Sequence, residues 1–181
     1  MNNLGIKRLE TERLILRKYE LGDEVGVFKN WACDLETNKY VSWNVHEDCV
    51  DTLEYVESCI EKVENGGYHW VVELKDNHEL IGDISIINLD RKNSWCELGY
   101  CYGSKFWGNG YATEALKAVI DYLLNIIDIH LIEARHHSNN PASGRVMEKA
   151  GMKYEATLKD RRTDKITHKY VDLIIYSITK D

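Results

Sequence analysis

Twenty residues, Ser94 to Thr113, limit what this chain can fold into more than any other stretch. Leu98, Tyr100 and Tyr102 alternate with Glu97, Gly99 and Cys101, the period of a strand with two unlike faces. After Gly103, the run Trp107-Gly108-Asn109-Gly110-Tyr111-Ala112 sets glycine where a backbone must bend or where a ligand must come close to the amides. Ala112, Ala115, Leu116, Val119, Ile120, Leu123, Leu124 and Ile127 then fall on one helix face. A strand, a glycine loop and a helix in that order bring unpaired N–H groups and the positive end of a helix dipole together, which suits a phosphate or pyrophosphate. A plain tight turn is the other reading. No Gly-Lys-Ser/Thr follows, which argues against a P-loop, and Gly108-Asn109-Gly110 lacks the third glycine of a dinucleotide fingerprint.

The flanking elements follow from pattern. Thr11 to Lys18 alternates as a strand, and a helix is expected over 22–32. Leu53, Val56, Ile60 and Val63 predict an amphipathic helix from Val50, ended by Asn65-Gly66-Gly67. Strands are expected over 68–74, 80–88 and 95–102, the first two joined as a hairpin through Lys75 to Glu79. A helix over 112–127 and a strand over 129–137 come next. Asn140-Pro141 reads as N-cap and first residue of a short helix that stops before Gly151. Strands over 152–158 and 170–178 close the chain around a charged hairpin, Lys159 to Lys169. Strands, helices and a βαβ unit in one chain indicate an α/β (α+β) fold with a mixed sheet.

At 181 residues the chain is expected to form one domain, 1–181, with a core that needs neither disulfides nor metal. No apolar run approaches a membrane span and the first residues carry no signal-peptide core, so a cytoplasmic protein is expected, with no membrane partner. The five cysteines form no C-x-x-C pair, and no metal is expected. Cys101 reads as a small apolar strand residue or, less simply, as a nucleophile. A net charge of −7 argues against nucleic acid. Between residues 20 and 64, twelve carboxylates face three lysines, a local balance of −9. These are solvated helix faces or a field that draws in a cationic amine.

The run Trp107 to Leu116 resembles the acetyl-CoA pyrophosphate loop of the GCN5-related N-acetyltransferases (GNAT), in the flavour of the RimJ/RimL-like group that modifies ribosomal-protein N-termini. Asn140-Pro141-Ala142-Ser143-Gly144-Arg145 resembles that family's next signature, and Glu12-Arg13-Leu14-Ile15-Leu16-Arg17 its opening. The resemblance implies a mostly antiparallel central sheet with one splayed strand pair and helices on both faces. It implies an acetyl-CoA-dependent N-acetyltransferase in which a primary amine attacks the thioester directly. The amine is a protein N-terminal α-amine or a small molecule; a homodimer stays open. A non-catalytic acyl-CoA-binding or scaffold domain of the same fold is the alternative.

By the same resemblance, pantetheine pairs with the main chain of Tyr100, Cys101 and Tyr102. Pyrophosphate sits on the amides of Phe106, Trp107, Gly108, Asn109, Gly110, Tyr111, Ala112 and Thr113, and Asn140 holds the pantetheine arm. Glu97, in a Glu-Leu-Gly-Tyr run, is the candidate base, with an ordinary exposed strand carboxylate as the alternative. Met147 stands where many relatives place an acid tyrosine, which leaves Ser143 to hydrogen-bond the departing sulfur. Arg135 replaces the carboxylate some relatives use, and His136 and His137 read as structural. Trp31, Tyr40 and Trp43 form an acceptor wall or pack as buried aromatics.

Overall fold

The computed structural model describes residues 4–180. Eight strands form one sheet: β1 (Leu9–Glu10), β2 (Leu14–Arg17), β3 (His69–Leu74), β4 (Leu80–Asp90), β5 (Trp95–Tyr102), β6 (Leu131–His137), β7 (Lys153–Thr163) and β8 (Tyr170–Thr179). Their order is β1-β2-β3-β4-β5-β6-β8-β7. Only β5 and β6 run parallel. Among the described residues no helix is long and apolar enough to cross a membrane.

Helices cover both faces because the strands alternate between two apolar sets. One face, carrying Leu16, Trp70, Ile84, Leu98 and Ile132, is packed by α4 (Tyr111–Asp121) and α5 (Pro141–Lys149) through Leu116 and Met147, and by Leu123 of the turn that continues α4. The other face carries Val71 and Leu80 under α1 (Glu24–Val27) and α3 (Cys49–Glu64), with Val27, Trp31, Val56 and Cys59 between. Val27 and Val56 are fully buried there; burying one such side chain is worth about 1.5–3 kcal/mol. The Asp48 carboxylate caps α3 on the amides of Val50 (2.7 Å) and Asp51 (3.1 Å). Glu54, Glu57, Glu61 and Glu64 lie on its exposed side, so this part of the acidic stretch is a solvated face.

Three expectations change in detail. Residues 22–32 are helical but widen from α1 into a π-type turn over Phe28–Ala32, followed by a short α2 (Leu35–Asn38). The helix after the glycine loop likewise widens over Tyr122–Ile127, where Tyr122, Leu123, Leu124 and Ile127 are all buried. The charged hairpin is shorter than expected. β7 runs on to Thr163, with register shifts that keep Arg162 opposite Val171. Its charged residues sit on an edge strand, where charge is tolerated. The turn itself is fixed by Asp164, whose carboxylate accepts from the amides of Ile166 (3.0 Å) and Thr167 (2.7 Å).

Candidate active site

The site starts where two parallel strands part. β5 and β6 pair only over Trp95 to Leu98 against Leu131 to Ala134. Beyond Leu98, β5 stays with β4 and β6 stays with β8. The register of β4 slips between Ile86 and Asn88, opposite Leu98 and Glu97. An extra residue at that point bends the strand and sharpens its twist just where the pairing ends. A Cβ on Gly99 would stand 3.2 Å from Ile87 Cγ2, so glycine lets the bulged residue lie close.

Main-chain direction decides which residues line the gap. The Gly103 amide donates to the Ile81 carbonyl on β4 at 3.1 Å. By alternation, Cys101 also spends its main-chain groups on β4, whereas Tyr100 and Tyr102 turn theirs toward the gap. The Tyr102 carbonyl is already taken, by the Trp107 indole at 2.7 Å and the Thr37 hydroxyl at 3.3 Å. Cys101 is therefore removed from the expected main-chain contacts, and Tyr102 retains only its N–H. Burial, with Asp83 and Asp34 nearby, pushes the Cys101 thiol well up, so it stays a neutral thiol.

The loop needs a similar correction. The amides of Phe106 and Trp107 donate to the carbonyls of Gly103 (2.9 Å) and Ser104 (3.1 Å), closing a tight turn, and are not free for a ligand. The amides of Gly108 through Thr113 find no acceptor among the described residues. Gly108 and Gly110 hold φ of +79° and +81°, a conformation that turns neighbouring amides to one side. The Asn109 side chain braces the loop on the carbonyls of Phe106 (3.1 Å) and Trp107 (3.2 Å). These six amides at the start of α4 form an anion cradle that fits a diphosphate.

Two side-chain roles were not read from the sequence. Arg13 donates to Glu114 Oε2 (2.7 Å) and to the Asn109 carbonyl (3.0 Å), and lies 4.6 Å over the Tyr111 ring. Thr11 Oγ1 reaches Glu114 Oε1 at 2.5 Å. The opening Thr-Glu-Arg run thus pins the first turn of α4 from across the sheet. Trp107 is the other support: its indole closes the end of β5, a role its spacing in the motif did not signal.

Across the gap, Asn140 caps α5, its Oδ1 3.4 Å from the Ser143 amide. Ser143 Oγ lies 2.8 Å from the Tyr100 hydroxyl, which also donates to the Ser143 carbonyl at 3.0 Å. Burial pushes the Tyr100 phenol up, so it remains protonated. Met147 is 1% exposed in the core, and the His136 ring packs where a Cβ on Gly144 would stand, 2.6 Å from its Nε2.

On the opposite face, Glu97 is 5% exposed, which excludes an ordinary exposed carboxylate. Asn88 donates to its Oε2 at 2.7 Å, and Arg135 Nε stands 3.3 Å from its Oε1. Both oxygens are engaged, beside the closed half of the strand pair. Trp31 is 1% exposed inside the core and is no acceptor wall. Tyr40 and Trp43 are half-buried on the connection before α3. Lys165, from the β7–β8 turn, donates to the Trp43 carbonyl and to Asn38 Oδ1 (3.2 Å), drawing that turn over the connection.

A sheet splayed beside a glycine loop that feeds a helix with free amides suits a diphosphate-bearing donor. The comparisons agree. A family profile described as acetyltransferase (GNAT) domain matches residues 13–153. The Bacillus subtilis (strain 168) protein named uncharacterized N-acetyltransferase YoaA is 30% identical over 174 residues, 95% of this chain and 96% of its own. A crystal structure of a GNAT-family acetyltransferase from Bacillus anthracis superposes with a TM-score of 0.84 at 28% identity, covering 96% of this chain and 99% of that one. A ribosomal-protein-S5-alanine acetyltransferase structure from Vibrio fischeri shares the fold, with a TM-score of 0.84 at 21% identity over 97% and 98% of the two chains. The chain belongs to the GNAT acetyltransferase family. It is an N-acetyltransferase, and acetyl-CoA is its cofactor.

Proposed function

We propose that the chain, acting as one catalytic unit, moves an acetyl group from acetyl-CoA to a primary amine by direct attack of the amine on the thioester. The observation that carries this is the row of unbonded amides from Gly108 to Thr113, next to the Tyr100 main chain where β5 has left β6. The amides and the α4 dipole bind the diphosphate, with the Arg13 guanidinium at the rim. Tyr100, through its main-chain groups, and Asn140, through its amide nitrogen, orient the pantetheine arm. The bound cofactor supplies the activated acetyl group.

The chain's own residues then assist the departure of the sulfur. Ser143 Oγ donates its one proton to the sulfur when the single Tyr100 proton turns from the Ser143 carbonyl to Ser143 Oγ and holds it in place. Both stay protonated, so their contribution is a hydrogen bond rather than a full proton transfer. Tyr40 and Trp43 stand at the acceptor entrance. A protein N-terminal α-amine fits the RimJ/RimL-like motifs and the ribosomal-protein acetyltransferase neighbour, and a small amine fits the same chemistry. Five free thiols suit the reducing cytoplasm.

A panel of amines and N-terminal peptides incubated with acetyl-CoA tests the reading, with free CoA as the readout. Amine-dependent CoA release is expected. A rise in melting temperature with acetyl-CoA but no CoA release across the panel would mark a binder instead.

A further inference from the structure

Two parallel strands that part keep a fixed spacing only if something beyond the pairing holds them. β5 and β6 pair no further than Leu98 and Ala134, yet Tyr100 on one lip and Asn140 just past the other serve one ligand. On the α5 face a direct contact crosses the gap, Tyr100 Oη to Ser143 Oγ at 2.8 Å. On the opposite face the crossing is made in steps, through α2 and the β7–β8 turn.

The first step leaves the end of β5. The Ser104 amide donates to Asp34 Oδ2 at 3.0 Å, and the same carboxylate caps α2 on the Glu36 amide (3.0 Å) and the Thr37 hydroxyl (2.6 Å). The second step leaves the end of α2. Lys165 donates to Asn38 Oδ1 at 3.2 Å and to the Trp43 carbonyl, to which Asn38 Nδ2 also donates at 2.8 Å. Lys165 gives up hydration for these two neutral oxygens, and burial lowers its pKa. The third step reaches the other lip: Asp164, which fixes the turn, accepts from Asn139 Nδ2 at 3.1 Å, one residue before Asn140. Ile166 at the turn is 62% exposed, so apolar packing does not hold the turn down; the polar links do. Bonds to a carboxylate or an ammonium are strong and directional enough for that task.

We propose that this span is a positioning device: Asp34, Lys165 and Asn139, acting through α2 and the β7–β8 turn, fix the width of the gap so that Tyr100 and Asn140 engage the pantetheine arm together. The proposal rests on the acetyl-transfer reading and adds positioning residues to its donor site; none of them touches the donor. The links stand in series. Breaking one frees the lips as far as breaking two, whereas unconnected structural contacts weaken the protein independently.

The test is a pair of calorimetric titrations, with acetyl-CoA and with 3′-phosphoadenosine 5′-diphosphate, which carries the diphosphate but no arm. Wild-type protein is expected to bind acetyl-CoA more tightly. Lys165→Met should lower that preference by about fivefold, and Asn139→Ala by a similar factor, while affinity for the armless ligand stays the same. Asn139 is exposed and Lys165 half-buried, so both variants should fold with melting temperatures near that of the wild type. The double variant should lose little more than either single one, and Lys165→Arg, which keeps the charge and the donors, should retain most of the preference. Losses that multiply in the double variant, to about twenty-fivefold, or a preference unchanged in both single variants, overturn the span. Equal affinity of the wild type for the two ligands would instead overturn the acetyl-transfer reading, because no arm is then held.

Discussion

The two faces of the site are made of different material. On the side proposed for the cofactor the free groups are amides, from Gly108 to Thr113, and the side chains there hold backbone in place. The polar cluster on the face under α1 and α3 is made instead of side chains drawn from four separate segments: Tyr19 before α1, Tyr55 on α3, His69 on β3 and Asp83 on β4. A main-chain site needs a bend and a helix start, which a short run of sequence can specify. A side-chain cluster needs partners that meet only once the sheet has formed.

The buried side-chain cluster predicts the largest effect. The folded pKa of His69 stands at about 9, above its ordinary 6.5. The stability it contributes is therefore complete below pH 6.5 and lost as pH rises through 9. By linkage this amounts to at most about 3 kcal/mol. The melting temperature of wild-type protein should fall across that window, while His69→Gln should show a flatter profile. Parallel profiles would mean the imidazole is neutral and the cluster is no ion pair.

Next comes the cofactor side. Gly110→Val puts a β-branched residue at φ +81° and aims its Cβ at the Arg13 guanidinium, 3.6 Å away. The strain, about 2 kcal/mol, should weaken acetyl-CoA binding by about thirtyfold in calorimetry while the melting temperature of the free protein changes little. Acetyl-CoA affinity equal to that of the wild type would show that the loop amides do not carry the diphosphate.

The smallest effect belongs to the pair between the two sides. Ser143→Ala should lower kcat by about tenfold, and Tyr100→Phe by a few-fold, with acetyl-CoA affinity nearly constant in both. That is the loss of one hydrogen bond made at the departing sulfur. A change in affinity with kcat preserved would turn Ser143 into a binding residue.

Much of the cofactor side was legible beforehand. The strand ending at Tyr102, the helix start after Gly110 and the Asn140 cap all follow from local rules about alternation, positive φ and capping. The errors there were of direction. Which main-chain groups face the gap depends on pairing parity, and this removed Cys101 and the Tyr102 carbonyl. The tight turn over Ser104–Phe106 consumed the amides of Phe106 and Trp107. On the acceptor side the sequence offered Trp31, which went to the core, and Glu97, whose oxygens Asn88 and Arg135 occupy. Asp83 gave no signal, since one aspartate in an apolar strand has no spacing to read.

The sequence by itself determined the donor: a glycine pair between a strand and a helix fixes φ, frees amides and aligns a dipole within a few residues, and these are local consequences of covalent geometry. Only the tertiary structure decided where β5 leaves β6, which carbonyls were already spent, and that Tyr19, Tyr55 and His69 gather on one oxygen of Asp83. Those outcomes depend on register and on contacts between segments as many as 65 residues apart.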